Sequence, residues 1–98
     1  MTLRFHPAVQ HDINEVLTYY SERSPTTAER FWNALHERFG EIAENPGQFA
    51  FINQTRGLRR ARLRKFPYLI TYYQTSQGVK ITCVKHEKRH PLRGQLRR

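Results

Sequence analysis

Acidic residues are nearly absent from the second half of this sequence, cysteine occurs once, and no long apolar run occurs at all. Each shortage excludes something. With Cys83 alone there is no internal disulfide, and its place inside the apolar stretch VKITCV marks a small buried hydrophobe rather than an activated nucleophile. No stretch approaches the roughly 20 apolar residues of a membrane span. The opening MTLRFHPAVQ has no charged-then-apolar leader, so a cytoplasmic chain without a membrane partner is expected. Over 98 residues, a single domain spanning 1–98 with one modest core is expected, and Trp32, five Tyr and six Phe are available to fill it.

What is present is positive charge, unevenly placed. Residues 1–55 carry four basic and seven acidic side chains, whereas residues 56–98 carry thirteen basic and one acidic, Glu87. The net charge of +9 therefore lies wholly in the C-terminal half, which points to a polyanion or an acidic protein partner meeting that half.

The chain begins with a short alternating strand, TLRFH, and Pro7 then suits the start of a helix. In AVQHDINEVLTYYSERS, Val9, Ile13, Val16, Leu17 and Tyr20 recur at helical spacing. Ser24 and Pro25 stop that helix and start another, as N-cap and first-turn residue. The second helix places Ala28, Phe31, Trp32, Leu35, Phe39 and Ile42 on one apolar stripe, and Asn45-Pro46-Gly47 ends it. The period then changes from helical to two. LRRARLRKF, YLITYYQT and VKITCVKH read as three strands, the last two joined through Ser76-Gln77-Gly78. The expected class is α+β in the order β-α-α-β-β-β, with a helical hairpin on one face of a small, mostly antiparallel sheet.

One motif needs to be set aside. HEKRH, His86 to His90, spells H-E-x-x-H, in which two histidines four apart on a helix hold zinc beside a general-base glutamate. Here the motif follows a β-branched, strand-like run, and Pro91 biases His90 away from helical angles. The remaining PLRGQLRR supplies no His, Cys, Asp or Glu as a further ligand. No metal and no cofactor is expected.

The charged strand is the stronger signal. Alternation places Arg60, Arg62 and Arg64 on one face, about 7 Å apart, a row suited to phosphates or carboxylates. Tyr68 and Tyr72 in the next strand offer stacking area for bases, or core packing.

Taken together, the helical hairpin, the Arg-rich strand, FPYLITYY and ITCVKHEKRHP resemble the RelE/ParE superfamily of bacterial toxins from type II toxin–antitoxin systems. The resemblance runs over essentially the whole chain, and its most specific part is the F-P-Y strand followed by an apolar strand closing on His86-x-x-Arg89. It implies a growth-inhibiting toxin, neutralised by an acidic-tailed antitoxin, with operator DNA reached only through that antitoxin. RelE-like members cleave mRNA on the ribosome, whereas ParE-like members inhibit DNA gyrase. In a ribonuclease, His86 and Arg89 would be the catalytic pair, with Arg62 or Lys65 as further cations. RelE-like nucleases carry an Arg directly after the strand Tyr, and commonly an aromatic near the C-terminus. Here Leu69 follows Tyr68, and no Phe, Tyr or Trp follows Tyr73.

These departures, with the long hairpin, favour the ParE-like branch: a toxin that blocks an essential complex, gyrase being the favoured target. The alternatives are a ribosome-dependent mRNA endonuclease and a basic nucleic-acid-binding module without toxicity. Arg60, Arg62, Arg64, Lys65, Tyr68, Tyr72 and Lys88 are the expected target- or antitoxin-binding residues. Arg23 lies in the helical half, apart from His86 and Arg89 in sequence, and is expected to matter far less to toxicity than either. The tail from 91 to 98, with Leu92 and Leu96 as its apolar anchors, is expected to be mobile without a partner.

Overall fold

The computed structural model describes residues 1–89, 93–94 and 97–98. Strand β1 (Leu3–Phe5) leads into helix α1 (Ala8–Ser21), which turns directly into the longer helix α2 (Pro25–Glu44). A single 3-10 turn, Pro46–Gln48, brings the chain to β2 (Phe51–Asn53), β3 (Leu58–Arg62), β4 (Tyr68–Thr75) and β5 (Gly78–His86). The expected α+β order is present, with the short β2 as an additional strand. The sheet order is β1-β5-β4-β3-β2, antiparallel throughout except that β1 runs parallel to β5.

Local chemistry sets the helix ends. The Thr27 N–H donates to the Ser24 hydroxyl at 3.2 Å, an N-cap worth about 1 kcal/mol, and Pro25 begins the first turn of α2. At the start of α1 the same task falls to His6, whose Nδ1 accepts from the Ala8 N–H at 3.0 Å. The apolar stripe of α2 packs as expected at Ala28, Phe31, Leu35, Phe39 and Ile42, but Trp32 does not join it. Trp32 is 43% exposed and lies against His36, with ring centres 4.0 Å apart. One residue beyond Phe31 along a helix is a rotation of about 100°, enough to carry a side chain off a narrow buried stripe.

Between the helices and the sheet lies one core. Ile70, Tyr72, Ile81 and Val84 from the sheet meet Val9, Ile13 and Val16 of α1 and Phe31 and Leu35 of α2. Each such aliphatic or aromatic side chain contributes roughly 1.5–3 kcal/mol on burial. Tyr72 belongs wholly to this core. Its hydroxyl donates to the Pro46 carbonyl at 2.5 Å and burial raises its pKa to about 12, so of its two expected readings core packing holds, and its place among the binding residues is corrected. Cys83 is likewise buried, its thiol pushed up to about 12 by desolvation, in keeping with its reading as a hydrophobe.

β1 covers only part of β5, pairing at Val79 to Ile81. Beyond it, the Val84 N–H finds the Asp12 carboxylate of α1 at 3.1 Å. Asp12 is buried and also accepts from Arg97 at 2.6 Å, while Arg93 binds Glu15 at 2.8 Å. So Arg93 and Arg97 of the tail are tied to α1 by ion pairs. The anchors expected there, Leu92 and Leu96, lie outside the described residues.

Among the described residues, no helix is long and apolar enough to cross a membrane.

Candidate functional site

The expected site residues divide between the two faces of the sheet. Cross-strand pairs share a face. Arg60 pairs with Thr71 and Arg62 with Leu69, and these in turn pair with Cys83 and Lys85, placing Arg60 and Arg62 on the face away from the helices. There Arg60, Arg62, Leu69 and Lys88 line an open cleft together with Glu87 and Ala50. Tyr68 pairs with His86 on the other, helix-facing side, where the two rings meet edge to face with centres 5.3 Å apart.

Arg64 leaves the row altogether. β3 ends at Arg62, and the connection to β4 turns with Lys65 in the left-handed region at φ 67°. Arg64 thereby reaches α2, donating to Glu41 at 2.8 Å and to Glu37 at 2.6 Å, while Lys65 lines a groove beside α2 with Phe66. The three-arginine row is corrected to a pair. Strand alternation holds only while the strand lasts, and two carboxylates on α2 supply Arg64 with better partners than a row of like charge.

Arg62 is also matched from within. Its Nε donates to Glu87 at 2.9 Å, and this bond is the leading cause of a Glu87 carboxyl pKa below the usual carboxylate value. Arg60 has no carboxylate partner among the described residues.

On the helix-facing side, α1 and the ends of β4 and β5 enclose a cavity of about 230 Å³. Tyr19 and Val16 form its α1 wall, Tyr68 and Val84 its floor, and His86 and Arg89 its rim, with Arg93 alongside and Lys85, an outer-face residue of β5, at its edge. His86 ends β5, and its Nδ1 accepts from the Lys88 N–H at 3.1 Å, which leaves Nε2 to carry the proton of the neutral ring. Partial burial, then the charge of Arg89, lowers its pKa below 6.5. Burial raises the Tyr68 hydroxyl above the ordinary tyrosine value, against the pull of Arg89. Tyr68 is 4% exposed and reaches only this cavity, so it offers no open stacking face. Residues 87–89 continue as bends rather than a helix, so the H-E-x-x-H spelling lacks the helical face it requires; His90 lies outside the described residues.

Tyr19 links the sheet end to the helix end. The Arg89 guanidinium carbon lies 5.7 Å from the Tyr19 ring centre and that of Arg23 only 3.7 Å, the latter steadied by a 2.8 Å bond from Arg23 to the Tyr19 carbonyl. Arg23, separated from Arg89 by most of the sequence, belongs to the same patch.

The family model described as "ParE toxin of type II toxin-antitoxin system, parDE" matches residues 3–91. The chain belongs to the ParE toxin family. It is thus the toxin component of a type II toxin–antitoxin system, with an antitoxin as its implied partner. Toxin ParE2 of Mycobacterium tuberculosis, from strains CDC 1551 / Oshkosh and ATCC 25618 / H37Rv, is 29% identical over 90 residues. That match covers 91% of this chain and 84% of the relative. A chain of the chromosomal ParDE TA system from P. aeruginosa shares the fold, with a TM-score of 0.77 at 15% identity over 88% of this chain and 95% of that one.

For this ParE-family toxin, sequence reasoning missed Tyr19, Arg23, Lys85 and Arg93 as neighbours of His86 and Arg89. Lys85 could have been suspected, because a lysine inside an otherwise apolar strand needs a partner; its Nζ donates to the Arg93 carbonyl at 3.3 Å. Nothing local marks Tyr19, which reads as one more amphipathic helix residue.

Proposed function

We propose that this toxin stops growth by binding and blocking an essential complex, DNA gyrase, rather than by cutting RNA, and that an acidic antitoxin segment neutralises it. The observation that carries this reading is the partition of the basic groups by the sheet. Cleavage at a 2′-hydroxyl requires a proton acceptor, an acid and phosphate-binding cations converging on one atom within a few ångströms. His86 and Arg89 face the helices, whereas Arg60 and Arg62 face away from them, and Arg62 holds Glu87. Between Arg62 and Lys85 on that outer face stands Leu69, 9% exposed, at the position where RelE-like nucleases carry an arginine. Two basic surfaces that do not converge suit binding.

One observation favours the second reading, a ribosome-dependent endonuclease. Partial burial lowers the His86 pKa and so favours its neutral imidazole, beside Arg89 and Tyr68 in a cavity open to solvent.

Labelled-precursor incorporation after induced expression separates the two. An early fall in DNA synthesis, strongly relieved by Arg89→Ala and His86→Ala, is the expected outcome. An early fall in protein synthesis with new mRNA ends would instead assign His86 and Arg89 to RNA cleavage.

A further inference from the structure

We infer that Tyr19 and Arg23 of the helical hairpin complete the target-binding site at the α1–β5 cavity, and that this site takes an acidic side chain flanked by an apolar residue on the target protein. The inference rests on the binding reading above only in treating the cavity as the surface that meets the target.

Charge and size carry it. Arg23 and Arg89 flank one ring and neither has a carboxylate partner among the described residues, unlike Arg62 and Arg64. Tyr19 is 40% exposed, so its ring offers an apolar surface beside two cations. The volume of about 230 Å³ suits a side chain and falls below the roughly 300 Å³ at which small-molecule pockets begin. The apolar floor of Val16 and Val84 suits an aliphatic neighbour of the acid, not a sugar-phosphate chain. A carboxylate also borders the basic groups, since Glu15 lines the cavity. A phosphodiester backbone extending past the cavity would meet it, whereas one discrete carboxylate need not.

The test uses the full chain and a fluorescent peptide of alternating Glu and Leu, followed by anisotropy. A Gln–Leu peptide and a single-stranded oligonucleotide of equal charge serve as competitors. The Glu–Leu peptide is expected to bind, and Arg23→Ala and Arg89→Ala each to weaken it about tenfold, as loss of a charge-assisted contact does. Tyr19→Ala should weaken it and Tyr19→Phe restore it, while Arg4→Ala on β1, paired with Lys80 toward the opposite end of β5, should leave it unchanged. Thermal unfolding of each variant shows that it is folded.

Three results would overturn the inference: no binding of the peptide by the wild type, loss on Arg89→Ala without loss on Arg23→Ala, or tighter binding of the oligonucleotide with the same variant sensitivity. Peptide binding of the expected pattern in a toxin that leaves DNA synthesis untouched would sustain this site and remove gyrase as the target. Arrest of DNA synthesis without peptide binding would do the reverse.

Discussion

The two basic surfaces of this toxin look alike in sequence and differ in what their charges face. On the outer cleft, Arg62 is held by Glu87, and past the strand end Arg64 is held by Glu37 and Glu41. Around the cavity, Arg23 and Arg89 lean on a tyrosine ring, which attracts a cation without cancelling its charge. Two of the three arginines expected in a row, Arg62 and Arg64, are answered inside the molecule. A weaker concentration of charge, assembled from distant parts of the chain, is left without a carboxylate partner among the described residues. Formal net charge is therefore a poor guide to which charges are left unanswered within the molecule.

The largest effect expected from probing this contrast concerns the cavity's surroundings. Asp12 has no side-chain exposure and supports Arg97, the Val84 N–H and, at 3.7 Å, Arg93, which lines the cavity. Asp12→Ala leaves those donors without their acceptor and should cost about 3 kcal/mol in urea unfolding. Asp12→Asn, which keeps an oxygen for Val84, should cost clearly less. Equal stability of the alanine variant and wild type would show that the buried carboxylate does not hold this edge together.

A smaller effect would make the outer cleft behave like the cavity. Glu87→Gln releases Arg62 with little change in fold, and the salt dependence of binding to a short DNA duplex should steepen by about 0.9 in the log–log slope. An unchanged slope would mean that Arg62 is already available despite its partner.

The smallest effect is on pH dependence. The Glu41 and Glu87 carboxyls are held below the ordinary 4.5, chiefly by hydrogen bonds from Arg64 and Arg62, so their stabilisation is complete above pH 4.5 and is lost as pH falls through the lower folded values. His86, lowered below 6.5 chiefly by burial, favours the neutral ring; its contribution is present above pH 6.5 and is likewise lost on acidification. Melting temperature should therefore decline in two steps on going from pH 7 to pH 3, a shallow one below 6.5 and another below 4.5. A melting temperature that rises over that range would reverse the sign for these pairs.

Much of the fold was legible because its signals are local. Ser24-Pro25 starts α2, Ile13 and Val16 face the core, and YLITYYQT is β4 to the residue. β2 was not legible: three residues between loops give too short a pattern to distinguish, and only pairing with β3 makes them a strand. Trp32 was placed in the core because hydrophobicity marks affinity for the interior and not the direction in which a side chain points. At the candidate site, a short motif singles out His86 and Arg89, whereas nothing within a few residues of Tyr19 or Arg23 refers to β5.

By itself, then, the sequence determined all the elements but β2 and nearly all of their apolar faces, and it carried the motifs that resemble the toxin family. The elements and faces follow from periodicity, caps and turn chemistry, which act within a few residues; the resemblance rests on the FPYLITYY and ITCVKHEKRHP segments. Tertiary structure alone decided that Arg64 turns to α2, that the sheet divides His86 from Arg62, and that Arg23 and Arg89 share one ring. Those outcomes depend on which distant charges and surfaces meet when the core closes, and so on an arrangement in space that no local pattern encodes.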